Sequence, residues 1–169
     1  MKRKPHQAIF SRAVRSTQQR LGTADHIDHL IQRRHWGNAL SAEQIEFVRA
    51  RDSLYLATAS RDGQPYIQHR GGPAGLVKVE SPSRLSFLDY SGNRQYITVG
   101  NLSENDQGFI FFMDYNIQRR LKLWGRMHIN ERIVGAQAEL NGYSAEVERR
   151  IVFDIEALDE NCPRYITPR

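Results

Sequence analysis

The chain of 169 residues has one cysteine, Cys162. It can form no internal disulfide, so the fold has no covalent staple of its own, and a reducing, cytoplasmic setting is expected. No apolar run approaches the ~20 residues that span a bilayer, so no membrane partner is expected. No apolar signal core lies near the start. Internal repeats and low-complexity segments are absent, which excludes solenoid and fibrous architectures. No Ser-His-Asp, Cys-His or paired-carboxylate pattern stands at a recognisable spacing. Hydrolytic chemistry therefore has no candidate machinery, and no catalytic side chain is assigned.

Acidic residues are missing from positions 1–20, where Lys2, Arg3, Lys4, Arg12, Arg15 and Arg20 stand. Such a start can touch nucleic acid or a membrane surface, or act as a targeting segment. Its apolar residues Ala8-Ile9-Phe10, Ala13-Val14 and Leu21 favour a helical arm docked on the domain, with a solvated basic face and no nucleic-acid partner. The expected organisation is an arm over residues 1–40 and one domain over 41–169. His26 and His29 can share a helix face, but without a third ligand at a recognisable spacing no metal site is assigned.

Helical spacing of Ile27, Leu30 and Ile31 predicts a helix over Asp25–Trp36. Ser41 and Gln44 form a capping box for a second helix reaching about Arg51. From Ser53 the period becomes two. Ser53–Ala59 and Gln64–His69 read as a hairpin around Asp62-Gly63, and Leu76–Val79 and Arg84–Tyr90 as a second pair. The apolar run Gly108–Tyr115 predicts a strand buried on both faces. Arg119–Glu131 alternates, with Leu121, Leu123, Gly125, Met127 and Ile129 on one face and Arg120, Lys122, Trp124, Arg126 and His128 on the other. Gly125 in mid-strand predicts a bulge or a close backbone approach. Ile133–Leu140 and Ser144–Arg149 read as helical, Ile151–Leu158 as a last strand, and Asn161–Arg169 as a tail. Six to seven strands, mostly antiparallel, with flanking helices give a mainly β fold, an antiparallel split β-barrel.

The stretch Asp89–Asn101 (D-Y-S-G-N-R-Q-Y-I-T-V-G-N) reads as a strand end, a turn at Ser91-Gly92-Asn93 and a short helix ending near Gly100-Asn101. Unpaired backbone N–H groups at such a helix start suit an anion, and Arg94 adds a bidentate cation. Tyr66–Pro73 (Y-I-Q-H-R-G-G-P) leads a second cation, Arg70, into paired glycines that allow close approach of a flat ligand. The polar face around Trp124 offers an aromatic wall. Cations for a phosphate, backbone groups and an aromatic surface are the parts a nucleotide-like cofactor needs.

The motifs L-Y-L-A-T-A-S-R-D-G-Q-P-Y-I-Q-H-R-G-G-P, F-L-D-Y-S-G-N-R-Q-Y-I-T-V-G-N-L-S-E-N and F-F-M-D-Y-N-I-Q-R-R-L-K-L-W-G-R lie within residues 41–131. In this order they resemble the pyridoxamine 5′-phosphate oxidase-like family of FMN-binding split barrels, and among it the flavin-nucleotide-binding members. The resemblance implies FMN at a homodimer interface. It implies contacts to the ring and ribityl chain from Gln68, His69, Arg70 and Gly71, and further contacts from Leu88 and Asp89. Asn93, Arg94 and Gln95 would hold the phosphate. Arg120 would reach FMN from the partner subunit, with Trp124 beside it. Gln95 stands where the oxidase carries a lysine, and Arg120 where it carries an interface glutamine. The oxidase's C-terminal Arg-x-His substrate signature is absent, so oxidation of pyridoxine phosphate is not implied. Two functions remain open: an FMN-dependent oxidoreductase acting on a small molecule, with His69 as a proton donor, and a non-catalytic flavin-binding or redox-responsive protein. A split barrel holding F420, or haem on His128 or His69, is the third option.

Overall fold

A computed structural model of the chain describes residues 4–33, 36–130, 137–140, 143–160 and 166–167. Helices α1 (Pro5–Ile9), α2 (Arg12–Arg20), α3 (Ala24–Arg33) and α4 (Ala42–Arg49) precede the sheet. Strands β1 (Ser53–Ala59), β2 (Pro65–Gly71), β3 (Val77–Ser81) and β4 (Arg84–Tyr90) follow. Helix α5 (Ile97–Glu104) then leads to β5 (Gln107–Asp114), β6 (Arg119–Asn130), β7 (Gln137–Leu140) and β8 (Tyr143–Glu160). The strand order is β2-β1-β5-β6-β8-β4-β3, with β7 hairpinned on β8, and every pairing is antiparallel. The sheet curls without closing: β2 and β3 remain edges, as in a split barrel.

Period-two alternation decides what fills the interior. Leu54 and Leu56, Leu85 and Phe87, Ile110 and Phe112, and Leu121, Leu123 and Met127 all point inward and are buried. Ile151, Phe153 and Ile155 on β8 meet them in one core. Gly125 is where β6 and β8 slip register, with Trp124 opposite Ala157 and Gly125 opposite Ile155. A Cβ there would lie 2.1 Å from the Asp154 carbonyl oxygen, so the expected close approach of backbones is present.

The Ser41 capping box forms as expected: Ser41 Oγ accepts from Gln44 N, and Gln44 Oε1 from Ser41 N. The helix it starts buries Phe47 and Val48. The guanidinium groups of Arg51 and Arg119 lie 4.6 and 4.7 Å from the Phe47 ring centroid. Each also holds a carboxylate: Arg51 pairs with Asp114, and Arg119 with Glu160 at 2.5 Å. Partial burial pushes both carboxyls up, but hydrogen bonds to these arginines, helped by backbone N–H groups at Asp114 and Gln44 at Glu160, leave both below their ordinary values. A carboxyl with a lowered folded pKa stabilises the fold in full above its ordinary value, 3.8 for Asp114 and 4.5 for Glu160. That stability is lost as pH falls through the lowered folded values. The urea midpoint should therefore decline in acid. Asp114→Asn should lower the unfolding free energy by about 1–2 kcal/mol at neutral pH and flatten the acid decline of the midpoint.

Three expectations are corrected. Residues 137–140 and 144–149 are strand, not helix; they belong to β7 and to β8, which pairs with β4 and β6 on its two sides. Residues 133–136, the start of the first of these, lie outside the described residues. Strand β5 is fully buried on one face only, since Phe109, Phe111 and Met113 on the other are half-exposed. The helix after β4 begins at Ile97, not at Asn93, and Gly100-Asn101 sit inside it. Among the apolar residues of the first segment, Phe10 meets Trp36 edge-on at 5.4 Å, whereas Val14 and Leu21 stay exposed.

Candidate functional site: an arginine-lined cleft

Strands β2 and β4, the 91–96 loop, the start of α5 and residues 148–149 of β8 enclose a cleft. It encloses about 200 Å³, room for a phosphate group and a part of what carries it, and opens to solvent on one side. Side-chain alternation selects its lining. On β2, Tyr66, Gln68 and Arg70 face the cleft, while Ile67 and His69 face the opposite side, where His69 packs edge-on against Tyr55 at 5.4 Å. On β4, Asp89 faces in and Leu88 faces away.

The floor is ionic. Asp89, 6% exposed, accepts Arg70 Nη1 on Oδ1 and Arg149 Nη1 on Oδ2, the latter at 2.7 Å. Arg149 Nη2 donates to Glu148 Oε2 at 2.6 Å. Its guanidinium carbon lies 5.1 Å from the centre of the Tyr96 ring, whose hydroxyl reaches Glu148 Oε1 at 3.3 Å. Arg70 Nε is buried with no hydrogen-bond partner among the described residues.

The 91–96 loop forms the rim. Asn93 Oδ1 accepts from Gln95 N at 3.1 Å, an Asx turn that places Arg94 at φ +59°. Tyr96, at φ +51°, precedes the helix without a side-chain cap. Two non-glycine residues in the left-handed region within three positions store backbone strain. Arg94 is exposed and makes no ion pair among the described residues. Behind the rim, Thr98 Oγ1 donates to Gln68 Oε1 at 3.2 Å. Asn101 and Asn105, from the N-L-S-E-N motif, tie α5 to β1 through Thr58 Oγ1 and the carbonyls of Ala59 and Ser60. That motif holds the helix in place and does not line the cleft.

Of the residues singled out from sequence, Gln68, Arg70, Asp89, Asn93, Arg94 and Gln95 share this cleft. His69, Gly71, Leu88, Arg120 and Trp124 do not line it. Trp124 stacks edge-on against Phe109 at 4.9 Å on the outer face of the sheet. Arg120 stands opposite Met113 on that face, its Nε buried and without a partner among the described residues. Arg149, Glu148 and the aromatic rim residue Tyr96 join the cleft lining without a motif that marks them, although Tyr96 stands only two positions beyond Arg94.

Residues 40–158 match the family model described as pyridoxamine 5′-phosphate oxidase. No curated protein matches. Among solved structures, the chain is similar to HupZ from Group A Streptococcus at 14% identity and a TM-score of 0.56, covering 72% of this chain and 94% of that one. A candidate pyridoxamine 5′-phosphate oxidase from Lactobacillus delbrueckii is similar at 19% identity and a TM-score of 0.53, covering 73% and 95%. At these identities the two structures speak for the fold alone, and the family model, spanning more than half of the sequence, speaks for descent. The chain belongs to the pyridoxamine 5′-phosphate oxidase family of split barrels.

Proposed function

We propose that this protein binds FMN, with the phosphate in the arginine-lined cleft, and works as an FMN-dependent oxidoreductase on a small molecule. The observation that carries the reading is the convergence of Arg70, Asn93, Arg94 and Gln95 on one cleft from a strand and a loop distant in sequence. The residues fit a phosphate. Arg94 is a cation with no ion pair among the described residues, and Arg70 Nε is a buried donor that a ligand oxygen would satisfy. Bound FMN supplies the two-electron redox chemistry. The chain's part is to hold the phosphate with Arg94, to fix Gln68 through Thr98, and to shield the floor from water. Neither histidine considered for haem lines this cleft: His69 packs on Tyr55, and His128 is exposed beside Asp154.

The reading includes a homodimer through the outer face of β2-β1-β5-β6. Tyr55, Ile67, Phe109, Phe111 and Trp124 form an apolar surface there, with Ile67 65% exposed. The unpartnered Arg120 Nε on the same face fits a group reaching across to the other subunit's ligand. The helices before Leu40, none with a fully buried residue, form an arm on the domain of residues 41–169. A cytoplasmic setting accompanies this, on the single cysteine.

The test is an absorption spectrum of the purified protein, mass spectrometry of what heat releases, and sedimentation of the same sample. Bands near ~370 and ~450 nm with released FMN are expected. Arg94→Ala should weaken FMN by about 1.5–3 kcal/mol, roughly ten- to a hundredfold or slightly more. A colourless protein that takes up no added FMN overturns the proposal.

A further inference from the structure

The cleft's cations are not equally available. Three guanidinium groups, of Arg70, Arg94 and Arg149, face two carboxylates, of Asp89 and Glu148, leaving one positive charge among the lining residues. Arg149 is committed twice, to Asp89 at 2.7 Å and to Glu148 at 2.6 Å. Asp89 also holds Arg70. Only Arg94 is uncommitted. Arg94 brings that charge and Arg70 Nε a buried donor without a partner among the described residues, which together suit a phosphomonoester, a single group carrying about −1.5 to −2 near neutral pH. A condensed phosphate or a polyanionic tail brings more negative charge against two carboxylates that cannot move away: Asp89 is buried, and Glu148 is held by Arg149 and by the Tyr96 hydroxyl.

We propose that Asp89 and Glu148, bound to Arg70 and Arg149, are specificity residues that restrict the cleft to ligands carrying a single phosphate group. This rests on the FMN reading and deepens it. F420 also carries one phosphate, as a diester, and is disfavoured by the carboxylates of its tail, which would draw on cations that this acidic pair already occupies. Arg149 acts as a positioning residue, linking the floor carboxylate to the rim aromatic across the cleft.

The experiment uses Glu148→Gln, which keeps an acceptor for Arg149 and Tyr96 while removing the charge. Inorganic phosphate and pyrophosphate are titrated calorimetrically into the full-length wild type and the variant, both freed of FMN, at constant ionic strength, because added salt screens the effect. Repulsion at fixed distance scales with the ion's charge. Wild-type protein should bind pyrophosphate no more tightly than phosphate. The variant should gain about tenfold for pyrophosphate and only about threefold for phosphate. Glu156→Gln, on the same strand but paired with Arg126 outside the cleft, should change neither. A wild-type preference for pyrophosphate, or equal gains for both ions in Glu148→Gln, overturns the proposal. If either result comes from protein that takes up added FMN after the titration, the selectivity falls and the FMN reading stands. If neither ion nor FMN binds, both fall.

Discussion

Gly125→Ala is expected to destabilise the protein by about 3 kcal/mol or more, the upper range for overpacking a close-packed core. The methyl group has nowhere to go. Its carbon would lie 2.1 Å from the Asp154 carbonyl oxygen and 2.7 Å from Phe153 Cζ. The first neighbour is backbone of β8, which is hydrogen-bonded to β4 on its other side, so relief requires strand separation and not a rotamer change. Gly108, across the β5–β6 pairing, makes a useful contrast. A Cβ there would meet the Met127 side chain, with Cε at 2.1 Å, and a flexible thioether can swing aside. Gly108→Ala should therefore cost about 1–2 kcal/mol. Urea unfolding of the two variants checks both. Equal losses would mean that side-chain crowding, not the meeting of two backbones, governs this part of the sheet.

The same contrast between local and long-range causes explains what the sequence could reveal. Strands β1 and β4 are legible to the residue, at Ser53–Ala59 and Arg84–Tyr90, because alternation is a local signal and each strand is bounded by turn residues. Residues 144–149 (S-A-E-V-E-R) carry good helix formers and read as helix, yet they extend a strand paired at a distance. Pairing of Tyr90 with Val147 and of Asp89 with Arg149 overrides the propensity. That single misreading hid Glu148 and Arg149, half of the cleft's ionic floor, because a helix would not have brought them beside Asp89. The loop after β4 misled in another way. Ser91-Gly92-Asn93 has the composition of a helix start, but the left-handed turns at Arg94 and Tyr96 delay the helix to Ile97. Arg94 is thus carried on a strained loop and not in a helical turn. Period two, finally, divides runs that the family resemblance treats as continuous, so Gln68 and Arg70 part from His69, and Asp89 from Leu88.

Asp89→Ala is expected to cost about 3–5 kcal/mol, the loss typical of removing one partner from a buried ion pair. The lower end applies, because Arg149 keeps Glu148 while Arg70 loses the one carboxylate it holds among the described residues. Asp89→Asn should lose less, since its amide oxygen still accepts from one arginine. The informative measurement is the response to added inorganic phosphate. An anion that binds the folded state alone raises its stability by mass action. With the carboxylate gone, the cleft keeps all three guanidinium groups and gains one net positive charge. Phosphate should then raise the unfolding midpoint of Asp89→Ala more than that of the wild type, recovering part of the loss. A variant equally unstable with and without phosphate would mark Asp89 as a structural counter-ion only. Recovery by phosphate would mean that the carboxylate occupies, in the free protein, part of the electrostatic role that a bound phosphate can take over.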